Sequence, residues 1–272
     1  VTREISLPLS VGAVSYYTVV PTTTTPTAGD AAQNVTVTAY DQYDNEVVNS
    51  DSIVVTTIPA SSVILTPSGG EFDFVSSSTY TFTVADTVME DFRIRVERFG
   101  QSGVQGTSDE IVVDHAVADS LVILSSTSSI PVGTDRILQV RLQDVYGNVL
   151  SGESVTFTPT QGTGSVTGSP ATTDANGIAE VSYTASQSTG ASPDIIEANF
   201  GAGAVTREIS LPLSVGAVSY YTFTPSSDTS MTAGGTLNYT LFARDVYGNL
   251  VNNTATVTLT TVGADAAILT PA

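Results

Sequence analysis

The 272-residue chain lacks cysteine, lysine and tryptophan, and it has a single histidine. Without cysteine, disulfide bonds and cysteine-based zinc sites are excluded. Without lysine, the lysine–asparagine isopeptide crosslinks of some surface sandwiches cannot form. Long apolar runs are absent too, since stretches such as residues 53–55 fall far short of the roughly 20 residues that span a bilayer. We therefore predict no membrane insertion in this segment.

Positive charge is scarce, with 8 basic against 27 acidic residues and a net charge of −19. Such a surface repels nucleic acid and anionic lipid, which excludes both as partners. It keeps an exposed molecule soluble and attracts divalent cations. The sequence does not begin with Met, and no charged segment followed by an apolar stretch opens it. We expect a processed protein or a piece of a longer one.

What the sequence does contain is an internal repeat. Residues 1–18 are identical to residues 205–222, at an offset of 204. A turn motif also recurs three times, and its tyrosines are 103 and 101 residues apart. The motif residues are Asp41, Tyr43 and Asn45, then Asp144, Tyr146, Gly147 and Asn148, then Asp245, Tyr247, Gly248 and Asn249. A period of this length predicts tandem domains of about 100 residues.

The phase of the repeat predicts the domain boundaries. Residues 1–13 match the end of the second unit, so we expect them to be the last strand of a preceding domain. Domain one is then residues 14–117, and domain two is residues 118–218. Domain three is residues 219–272, a partial copy.

The strands of domain two have a clear period of two. Leu138, Val140 and Leu142 alternate with polar residues, which predicts one buried and one solvated face. Gly and Asn interrupt such runs at tight turns, and Asp174, Asn176 and Gly177 form a second turn of this kind. About seven short strands with no helical period predict an all-β fold in which two antiparallel sheets form a sandwich.

Two stretches of domain two resemble a known family. VRLQDVYGNVLSGESVTFTP, at 140–159, is followed by TTDANGIAEVSYTA, at 172–185. This ordered pair is similar to the bacterial immunoglobulin-like (Ig-like) domains found in tandem in invasin and intimin. Domain one departs from the pattern, because Asp44 replaces the turn glycine and the second motif is absent.

The resemblance implies tandem Ig-like β-sandwich domains arranged as an elongated rod. It also implies an extracellular, cell-surface location and a non-enzymatic role as an adhesin stalk or scaffold. The expected partners are neighbouring Ig-like domains of the same chain or of identical chains. Two alternatives stay open: a surface-layer, sheath or filament subunit, and an adhesion module that binds a glycan or a surface protein.

Candidate catalytic residues are few. His115 has no nucleophile motif nearby, and pairs of acidic residues such as 90–91 and 109–110 lack the cleft that a glycosidase needs. We therefore predict that the chain is not an enzyme and needs no cofactor.

Calcium is the one metal that the sequence suggests, because oxygen ligands at domain ends can bind it. The candidate ligands are Asp114, Asp119, Asp174 and Asn176. The alternative for Asp174 and Asn176 is an ordinary hairpin turn. The tyrosine pairs at 16–17 and 220–221 suggest packing at a domain junction or, alternatively, stacking on a carbohydrate.

Overall fold

A computed structural model describes residues 3–224, 232 and 234–260 of the chain. The regular elements of these residues are β-strands and two short 3-10 turns, which confirms the all-β prediction. The described residues hold no helix with the length and hydropathy needed to cross a membrane. Much of the predicted domain three, at 225–231, 233 and 261–272, lies outside the described residues.

Domain one is a sandwich of two antiparallel sheets. Its strands are β1 (Tyr16–Pro21), β2 (Gln33–Tyr40), β3 (Ser52–Ile58), β4 (Ile64–Thr66), β5 (Glu71–Asp73), β6 (Thr79–Ala85), β7 (Asp91–Arg98), β8 (Gln101–Thr107) and β9 (Ile111–Val112). One sheet has the order β1-β2-β6-β4, and the other has the order β5-β3-β7-β8. Strand β9 pairs with β7.

Domain two repeats this plan. Its strands are β10 (Ala118–Ile123), β11 (Ile130–Pro131), β12 (Asp135–Asp144), β13 (Ser154–Gln161), β14 (Ser165–Thr167), β15 (Ala171–Thr172), β16 (Ile178–Thr184), β17 (Asp194–Phe200), β18 (Val205–Leu211) and β19 (Leu213–Ser214). The sheets have the orders β10-β12-β16-β14 and β15-β13-β17-β18. The short strands β11 and β19 pair in parallel.

Alternating apolar residues build each core. In β12, Leu138, Val140 and Leu142 are fully buried, while the residues between them face outward, as the period predicted. The buried cluster of domain one runs from Val14 to Val113, and that of domain two runs from Leu121 to Leu211. The two clusters share no residue, so each sandwich has its own hydrophobic core.

The two copies of the identical segment have different structures. Residues 205–211 form β18, which pairs with β17 and buries Ile209 and Leu211. Residues 3–15 form no strand, and Ile5 and Leu7 are 81% and 80% exposed. Domain three contributes the antiparallel pair β20 (Tyr220–Thr224) and β21 (Thr240–Arg244). Tandem antiparallel β-sandwiches are thus confirmed, whereas the elongated rod stays a prediction.

Candidate functional site at the domain junctions

The recurring turn is organised by its aspartate. Asp144 Oδ1 accepts hydrogen bonds from the N–H groups of Tyr146 and Asn148, both at 2.9 Å. Asn148 Nδ2 donates to Asp144 Oδ2 at 2.8 Å, and Gly147 takes a positive φ of 90°. Turns that need positive φ favour Gly, and Asp tolerates it, which explains Asp44 at φ 65° in domain one. The same hydrogen bonds recur at Asp41 with Tyr43 and Asn45, and at Asp245 with Tyr247 and Asn249.

Each of these aspartates also binds the linker that enters its domain. Asp144 Oδ2 accepts the N–H of Ala116 at 2.8 Å, and Asp41 Oδ2 accepts that of Gly12 at 2.9 Å. Asp245 Oδ2 accepts the N–H of Gly216 at 3.1 Å. The carboxylate therefore ties the linker to the first turn of the following domain.

These hydrogen bonds favour the charged carboxylate. The bond from Gly12, with those from Asn45 and Tyr43, lowers the pKa of Asp41 to about 2. Burial acts to raise the pKa of Asp144, but hydrogen bonds from Asn148, Ala116 and Tyr146 outweigh it and leave the pKa lowered. The pKa of Asp245 is lowered in the same way, against the same effect of burial.

The asparagine of the turn crosses to the preceding domain. Asn148 Nδ2 donates to the carbonyl of Thr87 at 2.9 Å, and Asn148 Oδ1 accepts the N–H of Met89 at 2.9 Å. One side-chain amide thus bonds to a donor and an acceptor of the same loop of domain one.

The next junction repeats this arrangement between domains two and three. Asn249 Nδ2 donates to the carbonyl of Gln187 at 2.8 Å, and Asn249 Oδ1 accepts the N–H of Thr189 at 3.2 Å. In both loops the carbonyl and the N–H belong to residues two positions apart. Both junctions therefore use the same bonds, made to backbone groups.

The tyrosine of the turn packs on a glycine of the preceding domain. The ring of Tyr146 lies so close to Gly29 that a Cβ at this glycine would overlap it, and Tyr247 meets Gly133 in the same way. Both glycines have positive φ, at 79° and 68°. Glycine is required here for its backbone conformation and for the close approach of the ring.

Domain one carries the same turn with no domain packed on it in the described residues. Tyr43 is 73% exposed, against 48% for Tyr146 and 42% for Tyr247. Within that part of the chain, the side-chain amide of Asn45 donates to Asp41 alone. The turn residues singled out from the sequence therefore meet a neighbouring domain at two of three places.

The residues predicted as calcium ligands occupy different structural positions. Asp174 Oδ1 accepts the N–H groups of Asn176 and Ile178, at 2.8 and 2.9 Å, as a turn aspartate does. Asp114 has a side chain that is 71% exposed, and Asp119 is exposed. Across residues 3–224, 232 and 234–260, no three acidic or histidine side chains form a group that could hold a metal ion. Calcium binding stays a prediction.

The remaining sequence candidates take structural positions. Nδ1 of His115 lies 2.8 Å from the carbonyl of Ala116, in the linker before domain two. Tyr16 stacks on Tyr40 with ring centroids 5.3 Å apart, and Tyr17 lies in the core of domain one. The tyrosines found at the junctions are instead Tyr146 and Tyr247, which the sequence marked only as turn residues.

Comparison with known proteins identifies the sandwich. Residues 119–206 match the model of the bacterial Ig-like domain (group 1) family. Domain two is a bacterial Ig-like domain. The resemblance predicted from its two motifs is therefore confirmed.

A curated relative that matches most of the chain is a bacterial adhesin. The chain is 28% identical, over 232 residues, to the inverse autotransporter adhesin YeeJ of Escherichia coli K12. This match covers 81% of the chain but only 10% of that relative, so the chain spans about a tenth of its length. The relationship thus concerns a stretch of repeated domains within a much larger protein.

Similar solved structures include a bacterial adhesin. The chain is similar to FdeC, an Escherichia coli adhesin, with 18% identity and a TM-score of 0.57 over 89% of this chain and 77% of that one. It is similar to invasin, a bacterial integrin-binding protein, with 18% identity and a TM-score of 0.45 over 86% of this chain and 47% of that one. At such identities the likeness to FdeC supports the fold.

Proposed function

We propose that this chain is a non-enzymatic structural repeat region of a bacterial cell-surface adhesin, serving as its stalk or scaffold. The main support for this proposal is that both described junctions are built from the same contacts. A linker N–H binds the turn aspartate, the asparagine bonds twice to the preceding loop, and the tyrosine packs on a glycine. The adhesin relative adds support for a location on the cell surface.

The proposed mechanism is mechanical. Each junction fixes two successive domains through a short linker and through polar and aromatic contacts on the same side. Because each unit contacts only its neighbours, the number of units sets the reach, and the junction sets the angle between units. Repeated identical angles would give the extended rod that the family resemblance implies. The strong negative charge would keep such an exposed array soluble.

Domain one contains a small cavity beside Pro26, Asp30, Asp86 and Phe92, with a volume of about 20 Å³. This space suits one water molecule.

A distance measurement tests whether the junction is stiff. The chain has no cysteine, so Ser68→Cys in domain one and Ser151→Cys in domain two, both exposed positions, give two unique sites for spin labels. Double electron–electron resonance should give one narrow distance distribution. Asn148→Ala combined with Tyr146→Ala should broaden it, because these side chains make the contacts across the junction.

The matched control is Asn45→Ala with Tyr43→Ala, the same residues of the same motif in domain one. These side chains touch no part of domain two, so this double variant should leave the distribution unchanged. A parent chain with a distribution as broad as that of the junction variant would contradict the stalk proposal.

A further inference from the structure

Identical sequences at 1–18 and 205–222 occupy different environments. In the second copy, Ile209 and Leu211 are buried in domain two as part of β18. In the first copy, the matching Ile5 and Leu7 are exposed. Since burial of such apolar side chains is favourable, the first copy has strand-forming, core-facing residues without a core.

The turn that follows the first copy is already arranged for a junction. Gly12 donates to Asp41 as Ala116 and Gly216 donate to their aspartates. Tyr43 and Asn45, whose counterparts contact a preceding domain, face outward.

A side chain at the position of Asp44 is compatible with an occupied junction. At the matching Gly147, where domain one is packed against the turn, an added Cβ would meet nothing within 4 Å. Asp44 Oδ1 accepts a hydrogen bond from the hydroxyl of Tyr16 at 2.7 Å, which directs this carboxylate to its own domain. The departure of domain one from the motif therefore leaves the contact surface intact.

The two occupied junctions define what this surface accepts. Each preceding domain offers a carbonyl and an N–H two residues apart, as at Thr87 and Met89. Each also offers a glycine with positive φ, as at Gly29. The strand-forming residues 3–11 require, in addition, a sheet edge like that of β17, with which β18 pairs.

We propose that Tyr43 and Asn45 form a docking surface for an Ig-like domain that ends like domain two and that takes residues 3–11 as its closing strand. The contacts follow from the occupied junctions. Asn45 bonds to a backbone carbonyl and N–H of that domain, and the Tyr43 ring packs on its glycine. This assignment goes beyond the stalk role, because it names a surface and its partner.

The partner is a domain joined directly to residues 1–13, not domain two of a second copy. The matching end of domain two is already in contact with Asn249 and Tyr247 of domain three. A second copy could offer it only by displacing that domain. The bond from Gly12 to Asp41 also holds the linker as it is held at the other junctions.

The docking proposal is tested with a version of the chain that has one more domain at its start. Adding a second copy of residues 118–204 directly before Val1 recreates a complete domain two ahead of domain one, since residues 1–14 repeat 205–218. Hydrogen exchange with mass spectrometry then follows residues 3–11 in the parent and extended chains. Ser6→Thr in both chains gives peptides from residues 1–18 a mass different from that of the otherwise identical peptides from residues 205–222. Position 6 is chosen because the matching Ser210 is exposed in the formed strand.

Exchange across residues 3–11 should slow about tenfold or more in the extended chain, and residues 41–45 should also be protected. Tyr43→Ala with Asn45→Ala should remove the protection that residues 41–45 gain in the extended chain. The same variant of the parent is measured beside it, because Asn45→Ala also removes the hydrogen bond to Asp41 within the turn. Tyr146→Ala is the positive control, because loss of a contact at an occupied junction should reduce the protection of its own turn, residues 144–148. Val48→Ala, at an exposed position near the turn, is the neutral control.

Two results would overturn the inference. If residues 3–11 become protected while the Tyr43 and Asn45 variant has no effect, the closing strand forms without docking. If the parent chain gains the same protection as its concentration rises, the partner is a second copy. Either result leaves the stiffness between domains one and two, and so the stalk proposal, untouched.

Discussion

Domains one and two fill the same sandwich with side chains of different size at matching positions. The pairing with the neighbouring strand aligns Tyr80 and Phe82 in β6 with Ala179 and Val181 in β16. The opposite change occurs on the partner strand, where Ala39 of β2 and Leu142 of β12 each lie two residues before the turn aspartate. At the next buried position of β6 and β16 the change is also reversed, because Val84 of domain one matches Tyr183 of domain two. The two cores are therefore packed by different residues at matching positions.

The polar content of the two cores differs more sharply. In domain two the hydroxyl of Tyr183 donates to the buried carboxylate of Asp194, which also accepts the N–H and the hydroxyl of Ser186. Burial, and then the hydrogen bond to Asp194, raises the pKa of Tyr183. The strand registers place Phe92 of domain one at the position of Asp194.

Domain one has an aromatic cluster in place of this network. Phe72 stacks on Phe82 and on Tyr80, both at 5.4 Å between ring centroids. The hydroxyl of Tyr17 is buried without a hydrogen-bond partner among the described residues, and burial raises its pKa to about 12. The cores have therefore diverged in chemistry, whereas the junction contacts recur unchanged.

The largest expected effect separates the two cores. Phe82→Ala should lower the free energy of unfolding of domain one by about 3–5 kcal/mol, because it removes a fully buried ring. The matching Val181→Ala in domain two should cost less, since fewer atoms are removed. Urea unfolding, with hydrogen exchange to assign each transition, measures both. Equal losses in both transitions after a single substitution would show that the domains unfold together.

The buried tyrosines provide the next contrast. Tyr183→Phe should lower the free energy of unfolding of domain two by about 1–3 kcal/mol, because Asp194 loses a buried donor. Tyr17→Phe should leave domain one as stable or slightly more stable, because it removes a hydroxyl that has no partner within residues 3–224, 232 and 234–260. Chemical denaturation of each variant checks the pair. A loss at Tyr17 as large as that at Tyr183 would rule out the contrast.

Acid should weaken both domains through their turn aspartates. A carboxylate whose pKa is lower in the folded state stabilises the fold above its unfolded pKa, near 3.8, and loses this contribution as the pH falls through the folded value. In domain one the loss should continue to about pH 2, the pKa of Asp41. In domain two it involves both Asp144 and Asp174, whose pKa values are also lowered.

The measurement is the melting temperature of each domain between pH 7 and pH 2. Asp144→Asn should flatten the acid dependence of domain two and leave that of domain one unchanged. A profile for this variant as steep as that of the parent would show that other groups cause the loss.

Calcium should give the smallest effect. With free calcium at ten times the dissociation constant of a site, binding would add about 1.4 kcal/mol to the stability of the domain that holds it. Of the proposed ligands, Asp174 already holds a turn with Oδ1, and Asp114 is open to solvent. Melting with calcium and with a chelator tests the prediction. Identical melting temperatures would contradict calcium binding at Asp114, Asp119, Asp174 and Asn176.

The sequence was sufficient to predict the sandwich because its signals are local. Alternation of Leu138, Val140 and Leu142 requires only neighbouring residues, and the turn aspartate bonds within four residues of itself. Asp194 was harder, because its polarity suggests an outward position. Its spacing of two residues from Ile196 places it on the buried face, but only the structure shows that Tyr183 and Ser186 satisfy its carboxylate there.

The junction contacts could not be predicted in this way. Asn148 reaches a loop about 60 residues away and bonds to its backbone, so the loop sequence is free to vary. Residues 87–89 are Thr-Val-Met, whereas 187–189 are Gln-Ser-Thr. One signal was present: Gly29, Gly133 and Gly234 recur at nearly the period of the turns, and all have positive φ.

Contacts made by a repeated turn to backbone atoms have a consequence for inheritance. A unit of 204 residues that is gained by recombination between residues 1–18 and 205–222 places domain one after domain two, with Gly133, Tyr43 and Asn45 at the new boundary. No compensating mutation is needed, whatever has changed in either core. Units can therefore be added to the array while each new joint keeps the same contacts.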